Sequence, residues 1–253
     1  SQKVNSTELG VYAKYKAVLV KFLLEPSLRL QFYASLPDLS LEPRIAAKYN
    51  ATDWFRLKAA AGMYSQNFVA ATSDRDVVNL FYGFLSGINN LPKTFDGKEI
   101  TTYLQKANHY IIGAEFDLSN KTTLNVEGYW KDFVQLTNIN RNKIYADSPM
   151  NSEIPDLLKK DFTVETGDAY GCDISLKFED KHWYLWAVYA LGFVTREYEK
   201  ATEDGAVLMQ YPTHFDRRHN INLILTYTAG AKRQWEFSGR WNFGSGFPFT
   251  HIS

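Results

Sequence analysis

Residues 107–133 alternate apolar and polar side chains so regularly that they predict a β-hairpin with a turn at 119–121. The even-numbered side chains of both strands are mostly apolar and share one face. We expect three facing pairs: Phe116 with Leu124, Leu118 with Thr122, and the aromatic pair Tyr110 with Trp130. The opposite face is polar and carries His109, Glu115, Asp117, Asn125, Glu127 and Lys131. The hairpin therefore has one apolar face and one polar face that suits contact with water.

The same alternation recurs along the chain and predicts about ten strands in all. Outside the hairpin, strands are expected at residues 8–16, 23–33, 41–50, 55–66, 169–179, 183–198, 220–227 and 234–243. Short turns near residues 17, 52, 120, 181 and 230 fall at one end, and long segments at 66–106, 137–168 and 199–216 fall at the other. This asymmetry is typical of a transmembrane β-barrel with periplasmic turns and extracellular loops.

Each strand is expected to face lipid with its apolar side and the lumen with its polar side. The strand at 183–198 is the least regular, and its register predicts that Leu185, Tyr189, Leu191 and Phe193 face outward. Within the long segments, short helices are possible at 77–85, 100–106 and 155–160.

Composition fits a barrel and argues against other classes. The chain of 253 residues has 28 basic and 28 acidic side chains, so it lacks the excess positive charge that nucleic-acid binding requires. Aromatic residues make up 15% of the chain and suit interfacial girdles. The longest uncharged apolar run, 183–194, is shorter than the roughly 20 residues of a transmembrane helix. Cys172 is expected to be a small apolar filler on the lipid face, and the lack of a signal peptide predicts a mature or truncated chain.

Several segments resemble, in this order, the C-terminal half of the barrel of TonB-dependent outer-membrane receptors. They are SLEPRIAAKYN, FRLKAAAGMYSQN, ANHYIIGAEFDL with NVEGYWKDF, GDAYGCDISLKF, YPTHFDRRHNINL and WNFGSGFPFT. The resemblance implies an all-β, antiparallel transmembrane barrel of about 22 strands, plugged by an N-terminal domain. Residues 1–253 would supply about ten of those strands, while the plug, the TonB-recruiting box and the closing strands would lie outside this chain.

The resemblance also implies a place and a set of partners. The place is the outer membrane of a Gram-negative cell, and the partners are its lipid, the plug, the TonB energy-coupling complex and a small-molecule substrate. A surface lipoprotein that covers the barrel stays open as a further partner. Nucleic acid is not expected as a partner, and no cofactor is expected.

The inward polar residues divide by their distance from the turns. The upper group lies where the family takes substrate: Tyr64, His109, Tyr129, Lys131, Arg218, Asn220, Arg240 and Asn242. The lower group lies where the family holds its plug: Arg56, Lys58, Glu115, Asn125, Glu127, Lys177 and Glu236. In the upper group, Lys131 is expected opposite His109, and Arg240 opposite Asn222.

No catalytic or metal-binding motif is present. The five histidines are scattered, and neither HExxH nor CxxC occurs. His214, Asp216 and His219 are expected to form a solvated cluster near the outer rim, and GSGFP from Gly244 is expected to be a turn.

These features predict the barrel of an active importer, not an enzyme. Its substrate could be a siderophore, an oligosaccharide, a peptide or a vitamin. Two alternatives stay open: a complete ten-stranded outer-membrane protease resembling omptins, and a passive channel of the porin type.

Overall fold

The computed structural model describes residues 7–33, 38–66, 91–203 and 205–248. Within them the chain forms fourteen strands and two short helices. The strands are β1 Glu8–Lys14, β2 Ala17–Val18, β3 Phe22–Tyr33, β4 Asp38–Asn50, β5 Phe55–Gln66, β6 Thr94–Phe95, β7 Lys98–Glu99, β8 Gln105–Ser119, β9 Thr122–Ile139, β10 Phe162–Glu179, β11 Trp183–Thr202, β12 Gly205–Pro212, β13 His219–Ala229 and β14 Trp235–Gly244. The helices are a 3-10 turn, Pro149–Asn151, and α1, Asp156–Lys159.

Ten of the strands form one antiparallel meander in the order β1–β3–β4–β5–β8–β9–β10–β11–β13–β14. β2 pairs with β3 and β12 pairs with β11, which completes a sheet of twelve strands, and β6 with β7 forms a separate hairpin. The predicted all-β antiparallel fold and its ten main strands are confirmed. Within the described residues, β1 and β14 each have a neighbour on one side only, so the sheet is an open arc.

The cross-strand register places the apolar side chains on one face, as predicted. Tyr110 faces Trp130 with ring centroids 5.2 Å apart, and Tyr170 faces Phe193 at the same separation. The expected outward set of β11 shares this face: Leu185, Tyr189, Leu191 and Phe193. Ile112, in the middle of β8, keeps 68% of its surface exposed. An apolar face that no protein core covers is what a sheet in contact with lipid requires.

Two local predictions near the hairpin are wrong. A β-bulge pairs Ser119, rather than Leu118, with Thr122, because the strand takes one extra residue just before the turn. Residues 100–106 form no helix, and the chain is irregular there until β8 begins.

The remaining predictions for the long segments have mixed outcomes. The helix expected at 155–160 is confirmed as α1, and the one expected at 77–85 lies outside the described residues. The segment 199–216, expected as a loop, is instead largely strand, because β11 runs to Thr202 and turns back as β12.

The outer ends of β9, β10 and β11, together with β12 and the core around Leu91, form a packed layer that we call the cap. β9, β10 and β11 have 18, 18 and 20 residues, which exceeds the 9–11 residues that cross a bilayer. A small core forms at this level from buried Leu91, Phe162 and Val164 with Phe95, Ile100 and Ile139. Asn140 fixes the neighbouring loop, because its amide donates to the carbonyl oxygens of Leu157 at 2.7 Å and Lys160 at 2.9 Å.

Two ionisable groups of the cap, outside the membrane-spanning wall, have shifted pKa values. Burial raises the pKa of Tyr211 to about 12, and the adjacent Glu165 carboxylate, which accepts a hydrogen bond from the Tyr211 hydroxyl at 2.9 Å, adds to the shift. Lys160 Nζ, 2.9 Å from Asp147 Oδ2, lowers the pKa of Asp147. Both shifts move the pKa values further from 7. Near pH 7, Tyr211 therefore stays uncharged and Asp147 stays charged.

Candidate functional site on the inner wall

A network of ion pairs crosses the lower inner wall, with Glu115 at its centre. The register places Glu115 of β8 opposite Arg56 of β5 and Asn125 of β9. Arg56 Nε donates to Glu115 Oε1 at 2.6 Å, and Lys48 Nζ lies 3.7 Å from the same oxygen. Lys58 pairs with Glu115 as well and donates to Asn125 Oδ1 at 3.0 Å. The wall thus satisfies most of these charges itself and holds their side chains in fixed positions.

The residues predicted to face a plug divide into two sets. Five belong to the network: Arg56, Lys58, Glu115, Asn125 and Glu127. The structure does not bring the other two to it. Lys177 pairs with Glu179 at 2.8 Å, and Glu236 accepts a hydrogen bond from Ser238 at 3.4 Å. Lys48 and Asp117 also belong to the network and are missing from the predicted set, although both occupy inward positions in the alternation.

Higher on the inner wall, three side chains stack on one another. The Tyr64 and His109 rings have centroids 4.3 Å apart, and the Arg44 guanidinium lies 4.1 Å from the centre of the Tyr64 ring. Glu42, only 1% exposed, binds Arg44 Nη2 at 2.6 Å and accepts hydrogen bonds from Ser65. Arg44 is missing from the predicted site, although the inward alternation of its strand could have found it.

Tyr129 lies flat across the wall because two glycines leave room for its ring. A Cβ atom at Gly171 would lie 2.7 Å from Tyr129 Oη, and one at Gly192 would lie 3.0 Å from it. The ring borders a hollow of about 340 Å³ that Arg217 and Asn220 also line. The structure therefore brings two of the predicted upper residues, Tyr129 and Asn220, to one cavity.

Lys131 connects the stack to the hollow. It lies directly opposite His109, as predicted, and its Nζ is 5.6 Å from the centre of the Tyr129 ring. The predicted upper residues that share this surface are Tyr64, His109, Tyr129, Lys131 and Asn220.

The arginine pair at 217–218 divides between the two faces of the sheet. Arg218, expected in the lumen, lies instead over the outward-facing Phe193, 4.3 Å from the ring centre, with its Nε 3.0 Å from Asp216 Oδ2. Arg217 takes the lumen side, where its guanidinium lies 4.3 Å from the centre of the Phe247 ring. The expectation failed because both arginines precede β13, so the alternation of that strand does not orient them.

Arg240 and Asn242 lie apart from the hollow. Arg240 pairs with Ile224 rather than with Asn222, which faces Asn242 instead. Arg240 Nε donates to Asn242 Oδ1 at 3.2 Å. Among the described residues, no hydrogen bond or ion pair joins either side chain to Tyr129 or Arg217.

The candidate cluster around Asp216 is structural. Asp216 is 2% exposed rather than solvated, and its Oδ1 accepts a hydrogen bond from the Val194 amide at 3.1 Å. His219 lies on β13 with its Nδ1 2.9 Å from the Tyr189 hydroxyl. Across the described ranges, no group of three His, Cys, Asp or Glu side chains could hold a metal ion. In the same ranges no helix has the length and apolarity to cross a bilayer, a finding that concerns helices alone.

The fold is that of the barrel wall of TonB-dependent outer-membrane receptors, and the resemblance in the sequence is confirmed at this level. The alcaligin outer-membrane receptor FauA of Bordetella pertussis is 14% identical, with a TM-score of 0.56 over 95% of this chain and 38% of its own. The FrpB iron transporter of Neisseria meningitidis is 12% identical, with a TM-score of 0.52 over 89% and 31%. The FpvAI–pyocin S2 complex gives 13% identity and a TM-score of 0.56 over 94% and 27%.

The chain thus spans between 27% and 38% of the length of these structures. They are receptors and transporters rather than enzymes. No protein-family model and no curated protein sequence matches the chain.

Proposed function

We propose that the chain is part of the wall of an active importer in the outer membrane of a Gram-negative cell. The observation that carries the proposal is the match of the sheet to outer-membrane receptors over 88–95% of this chain. The two faces support it, because the apolar side chains of the outward face are exposed and the inner face is polar. Outer-membrane lipid is then the direct partner of the outward face.

The rest of the barrel and a plug belong to the same proposal. The sheet is an open arc, and the matched structures are about three times as long as this chain. In the proposal the network around Glu115 faces the plug. Its charges are mutually paired, so a plug could slide past the wall without leaving an isolated buried charge. The TonB complex would act on the plug from the periplasm, and a surface lipoprotein could cover the cap.

The upper surface is the proposed contact for substrate. It comprises Tyr64, His109, Tyr129, Lys131 and Asn220 from the predicted set, together with Arg44 and Arg217. We propose a ferric chelate as the substrate, ahead of an oligosaccharide, a peptide or a vitamin. The reason is that the similar structures include an iron transporter and receptors for alcaligin and ferric enterobactin.

Uptake of radiolabelled ferric chelates by cells that carry the full-length protein as their only receptor tests the proposal. We expect uptake that disappears when TonB is deleted or the proton-motive force is collapsed, because an active importer needs both. Uptake that persists without TonB would indicate the passive channel instead. Cleavage of exported peptides at the cell surface, without any uptake, would indicate the protease.

A further inference from the structure

We propose that the hollow beside Tyr129 binds an anionic oxygen group of the imported ligand through Arg217. The importer would therefore prefer negatively charged chelates to neutral ones. The inference rests on the proposed function and adds the charge of the substrate and the residue that selects for it.

Arg217 is a half-buried cation without a counter-ion. Its neighbour Arg218 pairs with Asp216, but no hydrogen bond or ion pair to the Arg217 guanidinium exists among the described residues. Its Nε is buried and has no hydrogen-bond partner. Because a buried N–H group without an acceptor is costly, the arginine gains when a ligand oxygen supplies one. A planar guanidinium suits a carboxylate, a phosphate or a catecholate oxygen.

The guanidinium is held in place before any ligand binds. One side lies on the Phe247 ring, 4.3 Å from its centre. The other lies so close to the backbone that a Cβ atom at Gly244 would be 2.4 Å from Arg217 Nη1. Only glycine at position 244 lets the arginine occupy this position. A pre-positioned donor loses less conformational entropy on binding than a mobile one.

The hollow has room for a ligand group and a second donor. Its volume is about 340 Å³, and Gly192 and Asn220 form part of its lining. The Tyr129 hydroxyl points into the space left by the glycines and has no hydrogen-bond partner among the described residues. A bound anion could thus accept hydrogen bonds from Arg217 and Tyr129 together.

The charges around the hollow also favour an anion. Lys131 lies over the Tyr129 ring, and the Asp216 carboxylate that reaches the lining is already paired with Arg218. Two further acidic residues, Glu127 of β9 and Asp173 of β10, face each other in the register one step closer to the turns. An anionic group is therefore attracted to the hollow and repelled from the wall just below it.

Two ferric complexes of similar size but different charge test the inference. The full-length receptor, purified in detergent, is titrated with ferric enterobactin, an anionic tris-catecholate, and with ferrichrome, a neutral tris-hydroxamate. We expect tighter binding of the anionic complex. Arg217→Gln should weaken it roughly 10- to 100-fold, as expected for loss of a charged hydrogen bond, and should leave the neutral complex within about 2-fold. Arg217→Lys should restore part of the preference.

Arg240→Gln is the matched control, because it removes an arginine of the inner wall that lies apart from the hollow and leaves the Arg218–Asp216 pair intact. It should change the binding of both complexes equally, if at all. If Arg217 only braces the strands against Phe247, Arg217→Gln will affect both complexes equally, and the inference is overturned while the importer stands. Tighter binding of the neutral complex would overturn it too. Binding of neither complex would remove the ferric-chelate assignment together with the inference.

Discussion

Replacing Ile112 with arginine is expected to lower the free energy of unfolding of the full-length barrel by about 2–4 kcal/mol. Ile112 lies on the outward face, 68% exposed, about halfway along the membrane-spanning part of β8. An arginine there would enter the hydrocarbon region, where water cannot solvate its charge. Urea unfolding of the protein in lipid vesicles measures the change.

Ile111→Arg provides a matched control one residue away. Ile111 has the same side chain, but it faces the lumen, opposite Ala60 and Tyr129. We expect Ile111→Arg to cost much less, because an inward arginine can reach water or polar neighbours. If both variants lower the free energy of unfolding equally, the two faces of the sheet do not differ in their contact with lipid, and the proposed orientation is contradicted.

Replacing Gly171 with alanine is expected to cost about 1–3 kcal/mol and to weaken ligand binding at the same time. A Cβ atom there would lie 2.2 Å from the Leu191 carbonyl oxygen and 2.7 Å from Tyr129 Oη. Since the carbonyl belongs to the neighbouring strand, β11 cannot yield easily, and the Tyr129 ring has to leave its position. The same unfolding assay gives the stability, and titration with a ferric chelate gives the affinity.

Gly128→Ala is the control for this substitution. Gly128 lies opposite Cys172 on the outward face, and its nearest contacts for a Cβ atom are at 3.9 Å, an ordinary van der Waals distance. We expect Gly128→Ala to leave both stability and affinity nearly unchanged. A comparable loss in both variants would mean that glycine is needed for strand geometry in general and not for seating Tyr129.

The strands and their faces were predictable from the sequence because a membrane barrel imposes a strict two-residue period. Phe116 and Ile112 must meet lipid while Glu115 must not, so each strand carries its orientation in its own residues. The pairing of Tyr110 with Trp130 follows from the position of the one short turn between their strands. Nothing in such a stretch depends on distant parts of the chain.

The alternation fails where the period is broken. A bulge at Leu118 adds one residue, which the pattern of apolar side chains cannot show because the next residue, Ser119, suits either face. Arg217 and Arg218 lie between β12 and β13, and only the contacts with Phe247 and Phe193 decide which one enters the lumen. The candidate site was therefore only partly predictable: the wall residues were found, and the arginine of the hollow was not.

The cap was hidden from the sequence for a different reason. β12 is stabilised by pairing with the upper half of β11, and the core around Leu91 forms from segments far apart in the chain. Short strands and loops of this kind have weak local signals, because their stability comes from tertiary contacts. Polar composition alone made them look like plain loops.

The distance between the two edges of the arc tests the central claim most directly. Spin labels can be placed at Tyr12 of β1 and Ser238 of β14 in the full-length protein, with Cys172 replaced by serine, and the separation measured by pulsed electron resonance in membranes. Ten strands spaced about 4.8 Å apart and tilted by about 40° within a wall of about 22 strands should hold the labels roughly 40 Å apart. A separation of about 10 Å or less would mean that β1 and β14 are neighbours in a small closed barrel, and would contradict the importer wall.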